Sequence, residues 1–215
     1  MSLSHVSIIY LATTFSASVL ANDSSTEDRT FLYKGKLMTY DQVMLMTAPP
    51  EGYEPMNDDA DCRERLEVEI GITPEIFSIL ELSEGGYNGM AKSWPTRSGS
   101  VTWDTGKYSI NEINWKRVYP TLTPVDLRWN NCASLIAAAM VIQPFYESAK
   151  LKLRKDIVNK VPPLEMLEGL AWSLAGYNSK TPEVRERYRD RLLIMLAANL
   201  FEGDASTLWK KSMRK

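Results

Sequence analysis

Glu84 sits where a carboxyl group can do proton chemistry. The run Pro74-Glu75-Ile76-Phe77-Ser78-Ile79-Leu80-Glu81-Leu82-Ser83-Glu84 carries helix signals at both ends. Thr73 suits the N-cap, Pro74 suits the first helical position, and Gly85-Gly86 ends the run. At 100° per residue, Ile76, Phe77 and Leu80 share one face and Glu84 falls on it, with Glu81 toward the flank. A carboxyl at the end of an apolar stripe is partly desolvated, which raises its pKa and favours a protonated general acid. The competing reading is an ordinary helix-end charge. Glu81 reads as a surface or ion-paired acid, and Asp104 as a solvated loop acid.

Other catalytic chemistries find little support. His5 is the only histidine. It lies in a stretch, His5 to Ala21, that lacks Lys, Arg, Asp and Glu, runs through Ile8-Ile9-Tyr10-Leu11-Ala12, and ends at Val19-Leu20-Ala21. This pattern predicts an export signal over residues 1–21, with an uncleaved anchor as the alternative. Once cleaved, the chain would hold no histidine. Ser-His-Asp and Cys-His nucleophiles and imidazole metal sites would then be excluded, so no metal and no cofactor are expected. In an exported protein Cys62 and Cys132 are most simply one disulfide; a reactive thiol is the other reading.

The chain has 215 residues, enough for one domain with a sizeable core. A net charge of −2 gives no reason to expect nucleic acid. The 6 Trp and 10 Tyr include several in loop-like stretches, where flat amphipathic side chains suit sugar-like ligands.

The elements that must position Glu84 read mainly as α-helices. Residues 22–60 read as a partly irregular extension outside the core, in which Phe31-Leu32-Tyr33 and Val43-Met44-Leu45-Met46 can pack on as a short strand or helix. Cys62, Leu66 and Ile70 mark a helix ended by Gly71. Residues 85–130, rich in Gly, Ser, Thr, Pro and Trp, read as long loops with short helical turns. Asn131 caps an Ala-rich central helix over Cys132–Ile142, which Pro144 is expected to end or kink. Pro163 opens a helix with Leu164, Leu167, Leu170, Ala171 and Leu174 on one side, stopping near Tyr177-Asn178. Pro182 opens a last helix to Phe201, with Glu183–Arg191 as a solvated face and residues 203–215 as a tail.

Three stretches then fall in a suggestive order: Glu84-Gly85-Gly86-Tyr87 through Ser93, Gly106-Lys107-Tyr108-Ser109-Ile110-Asn111, and Gly176-Tyr177-Asn178. The set resembles the soluble lytic transglycosylase domain, a lysozyme-like family, and within it the specialised branch of conjugation, secretion and pilus systems. The family's Glu-Ser motif, with an aromatic and a later Ser, matches at Glu84, Tyr87 and Ser93, with Gly85 in place of Ser. Its Gly-Leu-(Met/Phe)-Gln-Ile-Asn motif matches at Gly106, Tyr108, Ile110 and Asn111, with Ser109 in place of Gln. Its Ala-Tyr-Asn motif matches at Tyr177 and Asn178, with Gly176 in place of Ala. Cys62 and Asn131-Cys132 stand where the branch commonly has its cysteines.

The resemblance covers about residues 61–190 and implies a goose-type lysozyme-like helical domain over 61–202, with long loops around a substrate groove. It implies cleavage of the β-1,4 bond between N-acetylmuramic acid and N-acetylglucosamine, Glu84 acting first as acid and then as base toward the muramoyl C6 hydroxyl. Ser93, Tyr108, Ser109, Asn111, Tyr177 and Asn178 would bind the glycan, and Cys62 and Cys132 would pair. The implied setting is periplasmic, with peptidoglycan strands as substrate. An envelope-spanning secretion, conjugation or pilus machine is the implied partner, and no membrane span remains after signal cleavage. A hydrolytic muramidase and a non-catalytic wall-binding module on the same fold are the alternatives; Gly85 and Ser109 favour the latter.

Overall fold

An Ala-rich helix, Asn131–Val158 (α6), packs against more elements than any other among the described residues. The computed structural model describes residues 29–96, 99–118, 121–178 and 182–200. The expected signal segment 1–21, the tail 203–215 and Phe201 lie outside these. The described chain is mainly α, with two small antiparallel sheets.

Along the chain, strands Thr30–Tyr33 (β1) and Lys36–Thr39 (β2) form a hairpin that leads into helix Tyr40–Leu45 (α1). Helices Ala60–Ile70 (α2) and Pro74–Glu84 (α3) follow. Strands Ala91–Pro95 (β3), Val101–Thr105 (β4) and Ile110–Asn111 (β5) make a sheet in the order β3-β4-β5. Helices Glu112–Val118 (α4) and Pro124–Trp129 (α5) lead to α6, and Pro163–Leu174 (α7) and Pro182–Leu200 (α8) complete the bundle.

The core gathers Leu135, Ala138 and Ile142 of α6 with Phe77 and Leu80 of α3, Leu174 at the end of α7 and Leu192 of α8, all fully buried. By length and composition α6 could cross a bilayer, and 50% of its apolar window is buried inside the protein. The Cys62–Cys132 disulfide joins α2 to α6 across a separation of 70 residues.

Four expectations are corrected. Residues 29–46 belong to the core: Phe31, Tyr40, Val43 and Met44 are buried in the main cluster, and Phe31 and Tyr40 pack on Trp115. A capping box, Thr39 with Gln42, starts α1 there. Residues 85–130 hold a sheet as well as two helices; β3 has four of five residues exposed, so its sequence shows no apolar alternation. Helix α6 does not end at Pro144 but continues to Val158, packed against α7. Its N-cap is Asn130, whose side chain accepts from Ala133 N–H at 2.9 Å, one residue ahead of Asn131.

Candidate functional site

Glu84 is the last residue of α3, and its side chain is half-buried. Thr73 occupies the N-cap with extended backbone, but its side chain makes no capping bond. At the other end Gly85 adopts φ 64°, the left-handed conformation that closes a helix, and its N–H bonds Glu81 C=O at 3.0 Å. A serine at that position would be strained, which accounts for glycine after Glu84. The chain then turns tightly against the β4–β5 connection: a Cβ on Gly86 would lie 2.5 Å from the Lys107 carbonyl oxygen. This close approach sets β4 and its Asp104 beside the end of α3.

Two side chains hold the Glu84 carboxyl. Tyr188, from α8, donates its hydroxyl to Oε1 at 2.5 Å, and the exposed Asn178 also hydrogen-bonds it. Burial pushes the Glu84 pKa up to about 7; the Tyr188 bond opposes that rise, and the charge of Asp104 adds to it. The Asn178 bond and the Arg191 charge act with Tyr188. The group therefore holds a large protonated fraction near neutral pH.

The Tyr188 hydroxyl also lies 2.9 Å from Ser83 Oγ, which in turn donates to Leu80 C=O at 3.0 Å. Hydrogen-bond counting distinguishes the two charge states. With Glu84 protonated, each hydroxyl donates once down the chain: Glu84 to Tyr188, Tyr188 to Ser83, Ser83 to Leu80. With Glu84 ionised, Tyr188 donates to Glu84, and Ser83 must divide its one hydrogen between Tyr188 and Leu80. Tyr188 donating to Oε1 is the arrangement that suits the carboxylate, and it tempers the rise that burial causes.

Asp104 is half-buried on β4. Its Oδ1 accepts from Asn111 Nδ2 at 2.8 Å and its Oδ2 from Trp94 Nε1 at 2.6 Å. Burial raises its pKa, against those two bonds and the Lys92 charge. The strand register puts Lys92, Asp104 and Asn111 in one row across the sheet, with Trp94 and Thr102 in the next. Alternation puts Ser93 and Trp103 on the opposite face, where Trp103 Nε1 bonds Asp41 at 2.8 Å.

The structure thus brings together Glu84, Asn178 and, on the Asp104 side of the sheet, Asn111. The other expected residues take different places. Ser93 is exposed on the other sheet face. Tyr108 is fully buried, and its hydroxyl donates to Asp59 at 2.8 Å and accepts from Arg63 at 2.7 Å, so it forms core and not a binding wall. Tyr177 is buried and donates to Tyr108 C=O at 2.8 Å, which ties the turn after α7 to the β4–β5 connection; it lies near enough to Glu84 for that charge to add to its raised pKa. Ser109, half-buried at φ 50°, occupies that same connection in a conformation uncommon for a non-glycine residue.

Beneath this connection lies a buried charge network. Asp59 pairs with Arg63 and with Lys107 at 3.2 Å, and Glu81 pairs with both of the same cations. Burial raises the Asp59 pKa, but the bonds from Tyr108 and Arg63 and the two positive charges outweigh it and hold the group below its ordinary value. Glu81 is thus the ion-paired acid of the two readings.

Comparison with models of known families, with characterised proteins and with solved structures found no match.

Tyr188 lies within Glu183–Arg191, whose charges suggest a solvated helix face, yet it is buried. The signal is nonetheless present. Tyr188, Leu192 and Met195 recur at helical spacing and are all buried, so the stripe of α8 begins earlier than its charged residues suggest. Asp104 is hidden differently: β4 spans only Val101–Thr105, too short for its alternation to mark a strand, so its acid looks like a loop acid.

Proposed function

We propose that the protein is a peptidoglycan lytic transglycosylase, with Glu84 as its single acid–base group, on a lysozyme-like helical domain. The observation that carries this reading is the half-buried Glu84 carboxyl, with a pKa of about 7 and Tyr188 fixing its orientation. Such a group gives its proton to the glycosidic oxygen as the bond to C1 breaks. As a carboxylate it then takes the proton of the muramoyl C6 hydroxyl as that oxygen closes on C1. The nucleophile belongs to the substrate, so attack needs no separately bound water and little loss of translational freedom. The order of the motif residues supports the same reading. The Cys62–Cys132 bond fits an exported protein that opens the wall locally for a secretion, conjugation or pilus machine.

Asp104 favours a second reading. A hydrolytic muramidase needs a second carboxylate to activate water, and Asp104 is the acid whose charge acts on Glu84.

Zymography on purified murein tests the proposal. Wild type is expected to clear the gel and Glu84→Gln to leave it opaque. Equal clearing by both proteins would remove Glu84 from the mechanism, and clearing by neither would leave a wall-binding module.

A further inference from the structure

Helices α6 and α7 pack as a hairpin, joined by the turn 159–162. This end of the domain leaves apolar side chains in water. Leu151, Ile157 and Val158 of α6 and Leu164 of α7 are each more than half exposed, Val158 at 78%. Cations stand among them: Lys150, Lys152, Arg154 and Lys155 on α6, and Lys160 in the turn. At 100° per residue, Leu151, Arg154, Lys155 and Val158 share an arc of about 100° on α6. Lys152 and Asp156 lie toward α7 instead. They line a groove with Glu165, Glu168 and Gly169, and a Cβ on Gly169 would meet Lys152 Nζ at 2.8 Å. Both acids near this end of α6 are paired, Asp156 with Lys152 at 2.5 Å and Glu147 with Lys150 at 3.0 Å. Arg154, Lys155 and Lys160 make no ion pair among the described residues.

A cation or two at a helix C-terminus answers the macrodipole. That does not account for four apolar side chains exposed beside them. We propose that this hairpin end is a membrane-surface contact, in which Leu151, Ile157, Val158 and Leu164 enter the headgroup region of an anionic phospholipid bilayer and Arg154, Lys155 and Lys160 meet its phosphates. The chemistry favours lipid over a protein partner. The surface is the turn end of a helix pair and not a groove. Its apolar groups are aliphatic and its cations mostly lysine, whereas protein interfaces concentrate aromatic residues and arginine and are poor in lysine. Lysine stems lie along apolar surface while the ammonium reaches the headgroups, the pattern of a helix held at a membrane surface. The unpaired charges on the outward arc are all positive, which complements an anionic leaflet. The contact does not depend on what Glu84 does.

Co-sedimentation of the full-length protein with phosphatidylcholine vesicles, with and without phosphatidylglycerol, tests the contact. The stretch from His5 to Ala21 has no Lys, Arg, Asp or Glu, so the readout is the difference in partitioning between the two lipids, which such a stretch does not create. Wild type is expected to prefer the anionic vesicles at low salt and to lose that preference at about 1 M salt, where the screening length is about 3 Å. Arg154→Gln combined with Lys155→Gln should lower partitioning onto anionic vesicles about 25-fold, because each cation is worth about fivefold there. Arg154→Lys with Lys155→Arg keeps the charge and should keep the preference. Val158→Ser should weaken binding severalfold and leave its salt dependence unchanged. All three positions are exposed, so these variants are expected to unfold in urea as wild type does. Equal partitioning of wild type onto the two lipids would overturn the contact. A preference undiminished in the double glutamine variant would assign it to another basic segment, such as the Lys210-Lys211 and Arg214-Lys215 tail, and would overturn the contact equally. Sedimentation velocity without lipid covers the remaining occupant: a dimer dissolved by Val158→Ser would make this end a self-association surface and overturn the proposal.

Discussion

Tyr188 and Glu84 are 104 residues apart in sequence and 2.5 Å apart in space, joined by a hydrogen bond from α8 to the last residue of α3. The contact gives Glu84 a defined direction, and Ser83 ties the Tyr188 hydroxyl on to Leu80 C=O. Burial drives the pKa of Tyr188 well above that of an ordinary phenol, and the adjoining Glu84 charge adds to the rise. The hydroxyl therefore keeps its hydrogen across the working pH range and acts as a fixed donor or acceptor.

The raised Glu84 pKa is also a statement about stability. An acid whose pKa is 4.5 unfolded and about 7 folded binds its proton more tightly in the native state. Stability therefore falls as pH rises from about 4.5 to about 7, by on the order of 3 kcal/mol, and stays lower above that window. Glu84→Gln removes the titration. Urea unfolding at pH 4.5 and pH 8 should show the variant gaining on wild type at the higher pH. A difference between the two proteins that does not change with pH would contradict the raised value.

Tyr188→Phe removes a donor that favours the ionised carboxyl. The Glu84 pKa, read from the side-chain carboxyl resonance by NMR, is expected to rise further, and the alkaline limb of any wall-lytic activity should move up with it. Activity at the optimum should fall because the acid loses its orientation. Stability at pH 8 should drop by about 1 to 2 kcal/mol through the lost bond. An unchanged resonance would show that Tyr188 does not touch the acid in solution.

Arg63 holds the α2–α3 region to the β4–β5 connection. Its side chain is 13% exposed and pairs with Asp59 and Glu81 while donating to Ser78 and Tyr108. Arg63→Ala leaves Asp59 with Lys107 as its one cation and is expected to cost about 3 kcal/mol in urea unfolding. A loss below about 1 kcal/mol would mean that the network is solvated.

Phe31 tests whether the N-terminal hairpin belongs to the domain. It is 1% exposed and meets Trp115 edge-on with ring centroids 6.1 Å apart. Phe31→Ala should destabilise the whole domain by roughly 3 to 5 kcal/mol in a single unfolding transition. A neutral substitution would return residues 29–46 to the status of an appendage.

The helices were legible because their punctuation is local. Thr73-Pro74, Gly71, Pro163 and Pro182 mark boundaries that the structure keeps within a residue or so. What escaped was set by partners remote in sequence. β3 exposes nearly all its residues, and its pairing with β4 writes no alternation into Ala91–Pro95. Phe31 and Tyr40 are separated by a polar turn and become core only when Trp115 arrives from α4. Within the candidate site, Glu84 was visible from its own helix. Tyr188 was masked by the arginines and acids around it, and Tyr177, which the family pattern directs to the carboxyl, binds the Tyr108 carbonyl instead.

The central claim is that Glu84 releases the glycan by intramolecular attack of the substrate's own hydroxyl. Mass spectrometry of the soluble products from purified murein tests it most directly. Wild type should liberate muropeptides ending in 1,6-anhydro-N-acetylmuramic acid, and Glu84→Gln should liberate none. Products ending in reducing N-acetylmuramic acid, or anhydro ends released equally by the variant, would contradict the account.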